Sequence, residues 1–372
     1  MRTKSAYLDK TVILEGCNGE WAQERYLPLL VDRAADGDFE LWAIDLDDGI
    51  LPKNDKIQES WTIAQARGQA HYLSKLKDEQ SYHRLANATY IFLVTPDRTH
   101  CQIAEFWLER LAPNGKIFIE KPLDASMRSA DELRKDIKRK KKEDTIFMFD
   151  HYLARARPLM EDWNRYLKLI GGIEKIDASI LESSTIKPNR VKTLEKGIIL
   201  DLFGHILALS GALIEQNLTP SPHILQKVEI RWVKAAQYRN SPISGETFSE
   251  IRFNIDNVVV TDSMGQGVGR EDNKEMIVYG SKGIINLDFQ NDTFACNPEG
   301  QPKSRGKLEA RHVETFLEEL IARNKQPISI PGVLDFDTGF EILAILDKAK
   351  AQMGKMVDYQ AGETTDSILK KF

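Results

Sequence analysis

The sequence predicts an α/β chain of two domains: a doubly wound parallel sheet, followed by an α+β domain built on a large, mostly antiparallel open sheet. Three observations predict it. A length of 372 residues corresponds to roughly two domains of about 150 residues each. Over the first 125 residues, short apolar runs alternate with stretches of helical periodicity, the pattern of parallel strands joined by crossover helices. Beyond Gly171-Gly172 the runs lengthen and follow one another directly, as antiparallel strands do. The division is expected at residues 1–125 and 126–372.

In chain order, KTVILE (10–15) is a β-branched strand, GCNGEWAQ a turn, and RYLPLLVDRA a helix by its apolar spacing. FELWAID (39–45) is a second strand ending in acid. YIFLVTP (90–96) and KIFIEKP (116–122) are apolar runs that stop at proline, with the helix CQIAEFWLERLA between them. The helix SADELRKDIKRKKKE then leads to a last strand of the first kind, TIFMFDHY (145–152). Its basic run, Arg134 to Lys142, is a solvated helix face. IEKIDASILESS, ILQKVEIRWVKAAQ, FSEIRFNIDNVVVTDSM, EMIVYG and GIINLDF supply the second sheet. ARHVETFLEELIARN and FDTGFEILAILDKAKAQM are closing helices, and QAGETTDSILKKF is expected to be a loose tail.

Composition excludes several functions. Lys and Arg number 51 against 56 Asp and Glu, a net charge of −5, so there is no excess of base for bulk nucleic-acid binding. Hydrophobic residues at 42% and charged residues at 29% fit a packed core. The most apolar stretch, Ile198 to Ile214, carries Asp201 and His205 and falls short of about 20 clean residues, so no membrane span is expected. The start, MRTKSAYLDK, has no apolar leader segment. Cys17, Cys101 and Cys296 are odd in number and far apart; no metal site or disulfide framework is expected, and a reducing cytoplasm fits best.

Four segments carry chemistry. In Gly16-Cys17-Asn18-Gly19-Glu20-Trp21-Ala22, glycines at a strand-to-helix turn let backbone approach a pyrophosphate, which the helix N-terminus would hold. Gly16, Asn18, Gly19, Glu20 and Trp21 are therefore cofactor candidates. Asp45 ends the second strand where an acid would bind ribose hydroxyls and repel a 2′-phosphate. With Asp47 and Asp48 beside it, NAD is favoured over NADP. The competing readings are a strand-ending Asp in a turn, or Arg25 or Arg33 folding over a phosphate. Glu120-Lys121-Pro122 ends a strand at the sheet's carboxyl edge, where a lysine can stabilise a developing alkoxide; alternatively it forms a surface salt bridge. Asp201 and His205 lie i, i+4 in DLFGHILALSGAL and share a helix face. They form either a proton-accepting site or a buried, locally paired histidine.

These segments resemble known families. VTPDRTHCQIAEFWLERLAPNGKIFIEKPLDAS is similar to the fourth and fifth Rossmann strands of the glucose-fructose oxidoreductase, inositol dehydrogenase and rhizopine catabolism (Gfo/Idh/MocA) family, with its TPxxxH and EKP signatures. KGIILDLFGHILAL resembles that family's GGxxxDxGxHxxD segment, and EMIVYGSKGIINLDF its late-sheet strand. GCNGEWAQERYLPLL and DHYLARARP resemble instead the nucleotide loop and DHYLGKE motif of glucose-6-phosphate dehydrogenase. The resemblance implies cofactor contacts from Thr95, Pro96, His100, Glu120 and Lys121. It implies that Lys121 contacts the reacting hydroxyl and that His205 is the base. Asp201 would bind or orient substrate, while Asp150 is the other candidate for orienting His205. His151 and Arg155 would hold a phosphate, Arg155 standing where the motif has lysine. Arg157 before Pro158 has a structural counterpart in the first family. Phe203, Ala208 and Ala154 depart from the motifs.

The expected function is hydride transfer between nicotinamide and a CH–OH group of a sugar, sugar phosphate or cyclitol, with the histidine taking the hydroxyl proton. One alternative is a glycosidase that oxidises its sugar transiently with bound NAD. Another is a non-catalytic NAD(P)-binding regulator of the same fold, against which the presence of both Lys121 and His205 counts. An open sheet with one uncovered face favours a homo-oligomer, dimer or tetramer.

Overall fold

The computed structural model describes residues 10–47, 49 and 55–372. Asp48 and the first nine residues, with the leader reading made on them, lie outside the described residues. The chain divides into two compact units, Met1–Phe149 with Val313–Pro327, and Asp150–His312 with Ile328–Phe372. The division thus falls at Phe149 rather than residue 125, because one more strand joins the first sheet. Phe316, on the returning segment, stacks on Phe149 with ring centroids 4.4 Å apart.

The first unit contains β1 (Thr11–Glu15), α1 (Leu27–Ala35), β2 (Glu40–Asp45), α2 (Asp55–Ala66), β3 (Ala70–Ser74) and α3 (Glu79–Arg84). It continues with β4 (Ala88–Leu93), α4 (His100–Leu108), β5 (Leu111–Glu120), α5 (Met127–Lys140) and β6 (Ile146–Phe149). Among the described residues, its six strands lie in the order β6-β5-β4-β1-β2-β3 and every pairing is parallel. Strands buried on both faces must be apolar throughout, which is why VILxx-type runs mark them: Val12, Ile13, Leu14, Ile91, Phe92, Ile117 and Ile119 are all buried. Strand order reverses between β1 and β4, a topological switch point. Register places Glu15 opposite Ile44 and Leu93, and Leu93 opposite Ile119. The segments after β1, β2, β4 and β5 therefore leave the sheet at one edge.

The second unit begins with α6 (His151–Arg155), α7 (Arg157–Glu161) and α8 (Trp163–Ile170), then β7 (Lys175–Glu182), α9 (Val191–Leu194), a π-helical turn Ile199–Phe203, α10 (Gly204–Glu215) and α11 (Pro222–Gln226). Strands β8 (Val228–Tyr238), β9 (Phe248–Ile255), β10 (Val258–Gln266), β11 (Asn273–Gly280), β12 (Gly283–Asp288), β13 (Thr293–Pro298) and β14 (Ser304–Lys307) follow. The remaining elements are α12 (His312–Leu317), which leads into the first unit's returning segment, β15 (Val333–Asp335), α13 (Phe336–Ala351), β16 (Val357–Tyr359) and α14 (Thr365–Leu369). Among the described residues, nine strands form the order β14-β13-β12-β11-β7-β10-β9-β8-β16. Only β7/β10 and β8/β16 pair in parallel, so the expected fold class is the observed one. Helices α8, α10 and α13 pack on this sheet. The register row Met276, Ala178, Asp262, Ile251, Val233 is buried, whereas the adjacent row Glu275, Ser179, Ser263, Lys234 is partly exposed.

Two local expectations are corrected. The strand expected to reach Tyr152 stops at Phe149, because Asp150 turns the chain into α6 as its N-cap. The C-terminal tail is not loose: Thr364 caps α14, and Ile368 is fully buried. No described helix is long and apolar enough to cross a membrane.

Candidate active site

The first unit's sheet edge is held by its own polar side chains. Gly16 has φ +86°, and a Cβ there would lie 2.5 Å from the Val94 carbonyl oxygen. Only glycine fits, because β1 and β4 leave the sheet side by side. The turn is closed by Gly16 N–H to Ile44 O at 2.9 Å and Gly19 N–H to Gly16 O at 3.1 Å. Asp45 accepts the Asn18 N–H at 2.8 Å and the Leu46 N–H at 2.7 Å. The Asn18 amide donates to Asp47 and to Gly49 O, both at 3.0 Å. Glu20 and Gly19 are exposed. Of the arginines weighed for a phosphate, Arg33 pairs with Asp38 at 3.3 Å and Arg25 lies over the Trp21 ring.

The EKP segment is fastened just as thoroughly. Glu120, buried, accepts from Trp21 Nε1 at 3.3 Å and from the Tyr26 hydroxyl. Burial and the Glu120 charge push the Tyr26 phenol well above its ordinary range. His100, also buried, sets Nδ1 2.8 Å from Pro122 O and Nε2 2.8 Å from Thr95 O. Asp124 accepts Cys101 N–H at 3.0 Å and Ser126 N–H at 2.9 Å. Lys121, half-buried, thus stands on a segment tied to the start of α4. Thr95 accepts from the Thr99 hydroxyl at 3.1 Å, and Pro96 is exposed. Sequence reasoning missed Glu15, buried at the end of β1, which takes Lys75, Tyr82 and Trp107 Nε1. Read as one more strand residue, it carried no motif.

The second unit brings Asp150 to His205. Asp150 caps α6 through Leu153 N–H at 2.9 Å, and its other oxygen meets His205 Nδ1 at 2.7 Å. Both side chains are almost fully buried. A carboxylate at Nδ1 keeps the proton on that nitrogen and makes Nε2 the proton-accepting one. Asp150 is itself fixed by its N–H to Gly332 O at 2.7 Å. Gly332, at φ +88°, brings its α-carbon against α6: a Cβ would meet the Ala154 Cβ at 2.5 Å. Of the two carboxylates left open, Asp150 is the one that meets the His205 ring nitrogen at hydrogen-bond distance. Asp201, on the π-helical turn Ile199–Phe203 that leads into the helix carrying His205, accepts from Arg190 at 2.9 Å. Arg190 also approaches Glu182 at 3.7 Å, and Glu182 takes Lys274 at 2.7 Å.

One residue that no motif marked, Glu246, supports this arrangement. Glu246, buried, accepts Ile198 N–H on its carbonyl at 3.1 Å and Ile199 N–H on its carboxylate at 3.0 Å, capping the helix that carries His205. Burial pushes its carboxyl up, with Lys350 opposing at 3.6 Å. His151 Nδ1 lies 3.2 Å from His312 Nε2. Arg155, expected to grip a phosphate, is bound by Asp292 at 2.6 Å and by Phe289 O.

Comparison with known proteins agrees with this architecture. Residues 55–157 match the family described as glucose-6-phosphate dehydrogenase, NAD binding domain. That span holds Lys121, Asp150, His151 and Arg155 but neither the Gly16 turn nor His205. Glucose-6-phosphate 1-dehydrogenase from Mycobacterium avium is similar over 96% of this chain and 95% of its own, with a TM-score of 0.74 at 16% identity. UDP-N-acetylglucosamine 3-dehydrogenase from Acidithiobacillus ferrooxidans covers 92% and 97%, with a TM-score of 0.63 at 17% identity. A 3-ketoreductase from Actinomadura kijaniata, in complex with NADP and TDP-benzene, covers 94% and 99%, with a TM-score of 0.65 at 11% identity. No curated protein sequence matches the chain. At these identities the likeness establishes the fold, that of two-domain NAD(P)-binding dehydrogenases.

Proposed function

We propose that this protein is an NAD-dependent dehydrogenase or reductase acting on a carbinol group of a sugar, a sugar derivative or a cyclitol. The observation that carries the reading is the buried Asp150–His205 pair at 2.7 Å, an oriented imidazole suited to general-base work. The first unit's edge fits the cofactor. A glycine turn and a strand-ending carboxylate stand at the switch point of a doubly wound sheet. Each Asp45 oxygen holds one backbone N–H and retains a lone pair for a ribose hydroxyl. Asp47 nearby adds charge that disfavours a 2′-phosphate. When bound, a nicotinamide exchanges hydride with the carbinol carbon.

This chain's own residues do the rest. His205 Nε2 takes the hydroxyl proton as the alcohol is oxidised and returns it in the reductive direction, while Asp150 stabilises the imidazolium that forms. Lys121 contacts the reacting oxygen and steadies its developing charge. Asp201 and Arg190, an ion pair partly open to solvent, offer an acceptor and donors of the kind that bind sugar hydroxyls. Nucleotide sugars join the substrate candidates because two of the similar structures are described with nucleotide-bearing molecules. The deciding experiment is a cofactor-reduction screen over hexoses, hexose phosphates, nucleotide sugars and inositols, and over the matching ketones in reverse, with NAD and NADP in parallel. Turnover of at least one such compound is expected, and none with either cofactor would end the reading.

A further inference from the structure

We infer that Arg155 and Asp292 are positioning residues for the His205 imidazole, acting through a stack of aromatic rings. This rests on the reading of His205 as the base. Asp150 fixes the Nδ1 edge of that ring. The face is fixed separately. The Tyr152 ring lies against His205 with centroids 4.7 Å apart, and Phe289 lies against Tyr152 at 4.6 Å. The Arg155 guanidinium then sits over both Tyr152 and Phe289, at 5.6 and 5.2 Å from their centroids.

Two anchors hold the guanidinium there. Nη2 donates to Phe289 O, so one arginine clamps both ring and backbone of the same residue. Nε and Nη2 both donate to one Asp292 oxygen, at 3.2 and 2.6 Å. Asp292 lies in the β12–β13 connection at φ +52°, a conformation that aspartate tolerates, and its carbonyl accepts Leu308 N–H at 2.9 Å. The next residue, Glu309, donates its N–H to Arg155 O at 2.8 Å. Arginine and aspartate are thus tied to consecutive residues of one segment, and the rings between them and His205 transmit that rigidity. Burial pushes the Tyr152 phenol up, so this ring stays neutral beside the imidazole. Because misplacing a reacting group by about 1 Å costs up to roughly a hundredfold in rate, a loosened stack reads out as turnover. Arg155 so engaged is not a phosphate grip, and the substrate needs no phosphate for this residue to matter.

The test uses Arg155→Ala and Asp292→Asn in the full-length protein. Positioning predicts that both lower kcat by about tenfold or more with KM within a few-fold, equally for a free hexose and its phosphate. A second readout needs no substrate. In protein labelled at histidine carbons, with the His205 resonance identified by its loss in His205→Asn, both variants should shift or broaden that resonance and leave that of half-exposed His71 in place. The milder Asp292→Asn decides the question if Arg155→Ala does not fold. Unchanged kcat with an unmoved His205 resonance, or a loss confined to the phosphorylated substrate, overturns the inference. Failure of every sugar in the wild-type protein would count against the proposed function instead, while the resonance still decides this one.

Discussion

In the first unit, Asp45, His100 and Glu120 bind backbone groups or ring donors of neighbouring strand ends and helix starts; in the second, Asp150 and His205 bind each other across 55 residues of sequence. The contrast fits what each region does under the proposed function. A dinucleotide is held chiefly by backbone, so polar side chains at a sheet edge serve best as fasteners that keep several chain segments in register. Proton transfer needs a particular atom in a particular place, so its side chains are themselves the product of the fold. Both kinds join residues distant in sequence: Glu120 takes Trp21 from 99 residues away, and Asp150 takes His205 from 55.

The contrast is broken most severely at the histidine. His205→Ala should lower turnover by about a hundredfold or more while NAD affinity stays within a few-fold; steady-state kinetics and a fluorescence titration of NAD check the two halves. Near-normal turnover would make the histidine a packing residue. In the first unit a comparable truncation should act on binding alone. Asp45→Ala removes the ribose acceptor, its charge and two backbone contacts, so the preference for NAD over NADP should shrink by about tenfold. Tighter NADP than NAD in the unmodified protein would refute the basis of that expectation.

The smallest effect sharpens the comparison from outside both sites. Asp262 lies in an otherwise apolar register row, fully buried, with neither oxygen hydrogen-bonded. Burial, and secondarily the Glu250 charge, raise its carboxyl well above the ordinary range. A raised folded-state value means its carboxyl is tolerated below the unfolded value of about 3.9 and costs stability as pH climbs, when the unfolded chain ionises and the folded one resists. Asp262→Val should therefore stabilise the protein at neutral pH by about 1 kcal/mol and flatten the decline from pH 4 upward. Thermal unfolding at pH 4 and pH 7 measures both, and a lower midpoint for the variant at pH 7 would show that the carboxyl has a partner.

Fold and site were legible to different depths. β1, β2, β4 and β5 announce themselves because strands buried on both faces are apolar without interruption. The places of Asp45 and Lys121 at strand ends and of His205 on a helix were legible. The pairing of Asp150 with His205 was open only through the DHYL resemblance, since no local pattern joins residues 55 apart in sequence. The contact of Arg155 was hidden for a related reason: its partner Asp292 is 137 residues away, and no local pattern announces such a contact. Glu246 had no signal at all, because capping a helix from another segment leaves no mark on the helix's own sequence. The tail was misread because Ile368 and Leu369 are too few to form a periodic pattern, yet they complete the cluster around Tyr359 and Phe248.

The segment Val313–Pro327 belongs to the first unit although it is encoded near the end of the chain. Phe316 stacks on Phe149 and lies 5.2 and 6.0 Å from Phe118 and Phe92, between ring centroids, so it covers the aromatic face made by β4, β5 and β6. A ribosome delivers that face long before its cover. During synthesis the nascent first unit carries an exposed aromatic surface until residue 327 has emerged, and domains otherwise tend to fold as units from the N-terminus onward. This chain must therefore fold its two units in an interleaved order, and a fragment cut at Phe149 would expose the same surface permanently.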